Sequence, residues 1–172
     1  MSLNHSLIAE MKHEAANTRK MLACVPAAHF DWKPHPKSMT LGRLANHVAE
    51  LSGWPEYTIE ADGLNFATME YRPAPPTTTQ DLLDLHDRGV AKSLESLAKV
   101  TDEQLGKIWR LSSGERLILE QPKAVVLRGL CFNHLYHHRG QLSVFLRLLN
   151  IAIPGMYGPS ADEMESMAAK AN

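Results

Sequence analysis

Cysteine is scarce: Cys24 and Cys131 are the only two in a chain of 172 residues. Both lie in apolar, helix-like contexts, which predicts buried thiols rather than a disulfide scaffold. Neither has the electropositive surroundings of a reactive thiolate. Charge of one sign is equally lacking, because 18 Lys and Arg stand against 19 Asp and Glu, a formal net charge of −1. That balance, with no basic stripe, excludes the electrostatic footprint of a nucleic-acid binder. No apolar run approaches the roughly 18 residues of a membrane span, and the N-terminus patterns as an amphipathic helix, not a signal peptide. There is no glycine-rich phosphate loop and no nucleophile elbow. The expectation is one domain over residues 1–172, soluble and cytoplasmic, long enough to bury a real core. Against this plain background, nine histidines are the one excess.

Apolar periodicity organises the chain. Leu3, Leu7, Ile8, Met11, Ala15, Thr18, Leu22 and Val25 recur at three- and four-residue spacings and predict a helix over 3–25. Pro26 and the run Trp32-Lys33-Pro34-His35-Pro36 end it in an extended loop. Thr40 is placed to cap a second helix to about residue 60, with Leu44, Val48, Leu51 and Trp54 on its apolar face and Pro55 a point of kinking or shortening. Tyr71 to Thr79, rich in Pro and Thr, reads as a loop. Thr79 is then the expected cap of a third helix to about residue 100. Residues 101–121 are less regular, and Ile108–Leu111 and Leu117–Leu119 around Ser112-Ser113-Gly114 suggest a short hairpin or a meander. Pro122 suits the first position of a fourth helix running to about Asn150. After Pro154, Gly155, Gly158 and Pro159, the pair Ser160 and Glu163 forms a capping box for a short helix from Ala161. The fold class expected is all-α, a four-helix bundle with a short C-terminal helix and an irregular excursion before the fourth long helix.

The chemistry lies in Asn133-His134-Leu135-Tyr136-His137-His138-Arg139-Gly140-Gln141. His134 and His138 are one helical turn apart on the apolar side of the fourth helix, so both imidazoles can reach one ion. Buried without partners they would cost several kcal/mol or so. Gln141 extends the same face as a polar positioning residue. His47 holds a comparable place on the second helix, and three imidazoles from two helices make a His₃ site with an open position. His137 points about 100° away from His138, His86 fits a core or rim position, and His5, His13, His29 and His35 lack a partner motif. Tyr57, Tyr136 and Tyr157 are expected at interfaces. Leu135 stands where a zincin requires its glutamate, and Glu50 and the later glutamates do not supply the Glu-x-x-His pairs of a di-iron bundle. Structural histidines remain the competing explanation.

Leu41-Gly42-Arg43-Leu44-Ala45-Asn46-His47-Val48-Ala49-Glu50, followed by Asn133 to Leu142, resembles the DinB/YfiT-like superfamily, and the closing Tyr157–Glu163 resembles one of its branches. The likeness covers nearly the whole chain. It implies a four-helix bundle, a homodimer, and one divalent metal ion, zinc, nickel or iron, held by His47, His134 and His138. Relatives implied by the resemblance include thiol S-transferases and isomerases that use low-molecular-weight thiols, and metal-dependent hydrolases. A small-molecule substrate is expected, with neither nucleic acid nor membrane as partner. The alternative from another class is a metal-binding or stress-response bundle that performs no catalysis.

Overall fold

A computed structural model describes residues 2–70 and 75–171. The first helix, α1 (Leu3–Ala23), buries Leu7, Met11, Ala15, Thr18 and Leu22, the face that its periodicity marked. Thr40 caps α2 (Leu41–Leu51), its hydroxyl accepting from the Arg43 N–H at 3.2 Å. The expected run to residue 60 is broken. Ser52 and Gly53 close α2, and Pro55 lies in the first turn of a separate helix, α3 (Trp54–Glu60), where its missing N–H costs no helical bond.

Of the anticipated loop at 71–79, residues 71–74 lie outside the described residues, while 75–77 carry no regular structure. The next helix, α4 (Thr79–Lys99), is capped by Thr78, not Thr79: Thr78 and Asp81 exchange side-chain and backbone bonds in a capping box. Thr79 instead donates its hydroxyl to the Val25 carbonyl at 2.7 Å, tying the start of α4 to the end of α1. A single turn, α5 (Asp102–Leu105), leads into strands.

An all-α assignment does not hold, because the protein is mostly helical with a three-stranded sheet. The excursion at 101–121 is a true hairpin of β2 (Ile108–Ser113) and β3 (Arg116–Pro122), with Gly114 at φ 61° in its turn. The unanticipated strand is β1 (Gly63–Asn65), which pairs in parallel with β2, Leu64 opposite Leu111. Three residues are too few for alternation to register, and the partner lies more than forty positions on. Gly63 is required there, since a Cβ would sit 2.4 Å from the Arg110 carbonyl oxygen. Asn65 then clips the hairpin turn, accepting from the Gly114 N–H at 2.9 Å and donating to its carbonyl at 3.3 Å.

The last long helical run begins at α6 (Lys123–Val126), one residue after Pro122. It passes through a π-helical segment (Leu127–Asn133) and continues as α7 (His134–Leu148). The C-terminal helix α8 (Ala161–Ala171) starts where Ser160 and Glu163 exchange capping bonds of 3.2 and 3.0 Å. Helices α1, α2, α4 and α7 bury one core, including Leu22, Leu44, Val48, Leu82 and Leu142. The sheet packs Trp109 and Leu111 against Val126 and Leu130, at the foot of the final helix.

One buried ion pair binds the helices across this core. Arg139 donates to the Glu14 carboxylate at 2.6 Å, to Thr18 Oγ1 at 3.1 Å and to the Tyr157 hydroxyl at 2.6 Å. Tyr157 in turn donates to Glu14 at 3.0 Å, so that this tyrosine fastens the segment before α8 to α1 and α7. Full hydrogen bonding is what makes a buried ion pair tolerable.

Candidate metal centre

Helices α2 and α7 pack directly on each other, and this contact brings the three histidines together. His47 lies on the α7-facing side of α2, His134 at the first residue of α7, and His138 one turn further on. Ring centroids are 5.0 Å apart for His47 and His134, 4.7 Å for His47 and His138, and 4.6 Å for His134 and His138. One nitrogen from each ring lies within 4.8 Å of the others. His47 Nε2 and His134 Nε2 are 3.3 Å apart, which matches the ligand separation of about 3.3 Å that a tetrahedral ion with bonds of about 2.05 Å imposes.

The other ring nitrogens decide what those facing atoms are. His134 Nδ1 is 3.2 Å from the Leu130 carbonyl, within the π-helical segment. A carbonyl only accepts, so His134 Nδ1 carries the hydrogen and Nε2 is a lone pair. His47 Nδ1 lies 3.4 Å from a carboxylate oxygen of Glu50, and His138 Nδ1 is 2.7 Å from Gln141 Oε1. The same logic leaves all three Nε2 atoms as lone pairs, in rings that each bring one nitrogen within 4.8 Å of the others. Two lone pairs at 3.3 Å repel unless a cation or a proton lies between them. Three imidazole donors with outer-shell acceptors are a donor set that fits a borderline divalent ion.

Burial weakens the proton as competitor for that point. The His134 imidazole is pushed down to about 4, first by desolvation and then by the neighbouring His47 and His138. His138 is also lowered, chiefly by burial, against an opposing hydrogen bond to Gln141. Trp54, from α3, sets its indole edge-on to His47 and His134 at centroid distances of 5.9 and 5.3 Å, screening one side of the site.

Sequence reasoning named the three histidines and Gln141, and the structure gathers all four. Glu50 was considered only as a metal ligand of another type, yet it accepts from His47, Asn46 and Arg43. Its place three residues after His47, on the same helix face, was the available signal. Trp54 was placed on the same apolar face as His47, seven residues on, but with no role at the site, and the Leu130 carbonyl had no signal. Of the remaining histidines among the described residues, only His137 touches the site, its ring edge-on to His138 at 4.9 Å between centroids. His86 is buried between the Ser52 hydroxyl at 2.6 Å and the Ala15 carbonyl at 3.1 Å, His137 is exposed, and His13 stacks on Tyr157. Tyr57, Tyr136 and Tyr157 bond to Gly63, Glu10 and the Arg139 network respectively. Both cysteines are free, Cys131 buried beneath Thr58 and Cys24 partly exposed.

A family model for DinB matches residues 1–171. The chain belongs to the DinB family. A relative from Bacillus subtilis, the uncharacterized protein YrdA, is 28% identical over 172 residues, spanning 99% of this chain and 96% of the relative. Among solved structures, a DinB-like protein from Bacillus cereus superposes with a TM-score of 0.66 at 25% identity, covering 87% of this chain and 94% of that one. The DinB-like protein YjoA from Bacillus subtilis gives a TM-score of 0.70 at 18% identity, with 90% and 99% covered. That second likeness speaks for the fold alone. As a DinB-family chain it has, among the described residues, no helix long and apolar enough to cross a membrane.

Proposed function

We propose that this protein is a metal-dependent enzyme whose single divalent ion, of the zinc, nickel or iron class, is held by His47, His134 and His138. The observation that carries the reading is the convergence of three Nε2 lone pairs, each imidazole fixed by an oxygen acceptor behind it. With three protein ligands, an ion bound there keeps at least one open position, where its Lewis acidity lowers the pKa of a water or a thiol.

The chain's own residues set limits on the reaction. Its cysteines are unsuited to serve as nucleophiles, since burial pushes Cys131 up to about 12 and Cys24 is raised as well. The nucleophile therefore comes from solution, as water in a hydrolase or as a small thiol in an S-transferase. The histidines hold the reacting centre at the α2–α7 contact, Gln141 and Glu50 orient two of them, and Trp54 excludes water from one side. His47 and His134 also line a cleft of about 1670 Å³ that opens toward the sheet and admits a substrate.

The test uses untagged protein soaked with zinc, nickel, iron or manganese and then dialysed. Native chain is expected to retain about one ion and His138→Ala less than about 0.2. Thiol conjugation to electrophiles, and ester and amide hydrolysis, are measured on both. Native protein that retains no ion sinks the proposal. An ion without turnover leaves the non-catalytic metal-binding bundle instead.

A further inference from the structure

The cleft beside the histidines is walled on one side by α4. Leu85, Arg88, Gly89 and Lys92 line it, and steps of three, four and seven residues put all four on one helix face. Gly89 lets this face come close to the site. A Cβ there would stand 2.8 Å from the Gly53 amide nitrogen, and Gly53 is followed by Trp54, whose indole lies against His47 and His134. Arg88 is therefore held beside the α2–α3 junction, the same junction that delivers Trp54 to the histidines.

Four basic side chains line the cleft, and among the described residues three of them have carboxylate partners. Arg43 is tied to Glu50 at 3.4 Å, Lys92 to Glu56 at 3.7 Å, and Arg110 to Glu120 on the neighbouring strand. Arg88 has none. The carboxylates nearest to it along α4 are committed elsewhere. Asp84, one turn earlier and the ordinary partner of an arginine at i+4, accepts from Gln80 at 2.7 Å. Asp87 holds Arg19 at 3.0 Å. A guanidinium carries five donors in a planar fork and stays charged at any working pH. That fork is exposed here, on a wall otherwise made largely apolar by Trp54, Leu64, Phe66, Leu85 and Leu111.

Net charge does not select the ligand, because four acidic side chains also line the space. Asp31 and Glu70 are the two outside the pairs above. Asp31 precedes α2, whose 11 residues span about 16 Å to the junction, and Glu70 follows β1 on the sheet side. Recognition thus falls to one fork, matched to one negative charge. A phosphate dianion calls for a second free cation. A carboxylate is planar and singly charged, and accepts from an arginine through both oxygens.

We infer that the cleft binds an amphipathic carboxylate, an apolar body with one acidic group whose oxygens accept from the guanidinium of Arg88. The inference rests on the metal-enzyme reading for its relevance to substrate, since His47 and His134 line the same space, but the subsite itself does not need the ion. Arg88 is then a specificity-determining residue, favouring acids over their neutral amides.

The experiment uses the full chain, treated with chelator and dialysed, and two probes of matched shape: phenylbutyrate, an anion, and phenylbutyramide, which is neutral. At about pH 7.5 and low salt, the native chain should bind the carboxylate about five- to tenfold more tightly, the worth of a charge-assisted contact discounted for exposure. Salt at about 0.5 M should shrink that preference. Arg88→Gln should bring it below about twofold, and Lys92→Gln, one turn on, should leave it at the native value. Equal binding of the two probes, binding of neither, a preference that survives Arg88→Gln, or one that Lys92→Gln removes as fully overturns the inference. Circular dichroism checks that Arg88→Gln folds; if it does not, the native preference and its loss in salt decide alone. Because metal is absent throughout, failure of the His₃ reading appears in the metal analysis and not here.

Discussion

Each imidazole at the α2–α7 contact has two nitrogens, and the one that faces outward governs the one that faces inward. Glu50, Leu130 and Gln141 take the outward hydrogens of His47, His134 and His138. Loss of such an acceptor frees the ring to rotate and to adopt the wrong tautomer, which commonly costs 10- to 100-fold in metal affinity. Gln141→Ala removes an exposed side chain with no other bond in the core, so its effect is confined to His138. It should weaken zinc binding by about tenfold in competition with a chelating dye, with the circular dichroism spectrum unchanged. Glu50→Gln should act in the same direction through His47. Affinity within twofold of native in both variants would show that the acceptors do not position the rings. At this scale much was legible: helical spacing placed His134, His138 and Gln141 on one face, and His47 on a facing helix. Glu50 carried a readable i,i+3 relation. The backbone carbonyl of Leu130 carried none, because no side-chain pattern reports on a main-chain acceptor.

Among the elements, the helices were legible wherever burial was one-sided and a cap was local. Thr40 and the Ser160–Glu163 pair act where their spacing placed them. Thr78, not Thr79, caps α4, a one-residue slip that adjacent threonines invite. Strand β1 was invisible because, among the described residues, its only partner is β2, and its three residues have no period. The π-helical segment was invisible for a different reason, since a single extra residue in a turn leaves the apolar stripe intact on either side. Its consequence is local to the site, as π-bulges often are. Leu130 lies within it, and His134 follows at its end. Gly129 is the residue to remove, because it is exposed and nothing lies near its Cβ position. Deleting it restores α-helical winding with the flanking stripes nearly in phase, but it moves the Leu130 carbonyl relative to His134 Nδ1, whose hydrogen it accepts. The helical dichroism signal should persist while zinc affinity falls by more than about tenfold, as ligand geometry is lost. Native affinity after the deletion would mean that the wider turn has no part in aiming His134.

The molecule as a whole couples this site to the pH at which it stays folded. His86 is buried between α1 and α2, and desolvation lowers its pKa below the ordinary 6.5, only partly offset by its bond to the Ala15 carbonyl. In metal-free protein His134 and His138 are shifted the same way, again mainly by burial. A histidine that binds its proton more readily when unfolded draws the chain toward unfolding as pH drops. The stability is therefore complete above about 6.5, the unfolded value, and declines as pH falls from there toward each depressed folded value. Asp81 and Asp162 act in a lower window. The Thr77 and Thr78 bonds hold Asp81 near 2, and Arg147 does the same for Asp162, so their contribution is present above 3.8 and lost as pH approaches 2. Acid unfolding of the chelator-treated protein should accordingly begin between pH 6.5 and 5, before any of those carboxylates titrate. Urea midpoints measured from pH 7.5 down to 4 should fall across the upper part of that range, and His86→Gln, which cannot take up a proton, should flatten the fall. Zinc at a hundredfold excess over Kd should raise the unfolding free energy at neutral pH by about 2.7 kcal/mol, moving the urea midpoint upward. That gain should then shrink below pH 6, where protons compete for the same three nitrogens. A midpoint that stays level from pH 7.5 to 5 in the chelator-treated protein would mean that these histidines remain hydrated when folded, contrary to their burial.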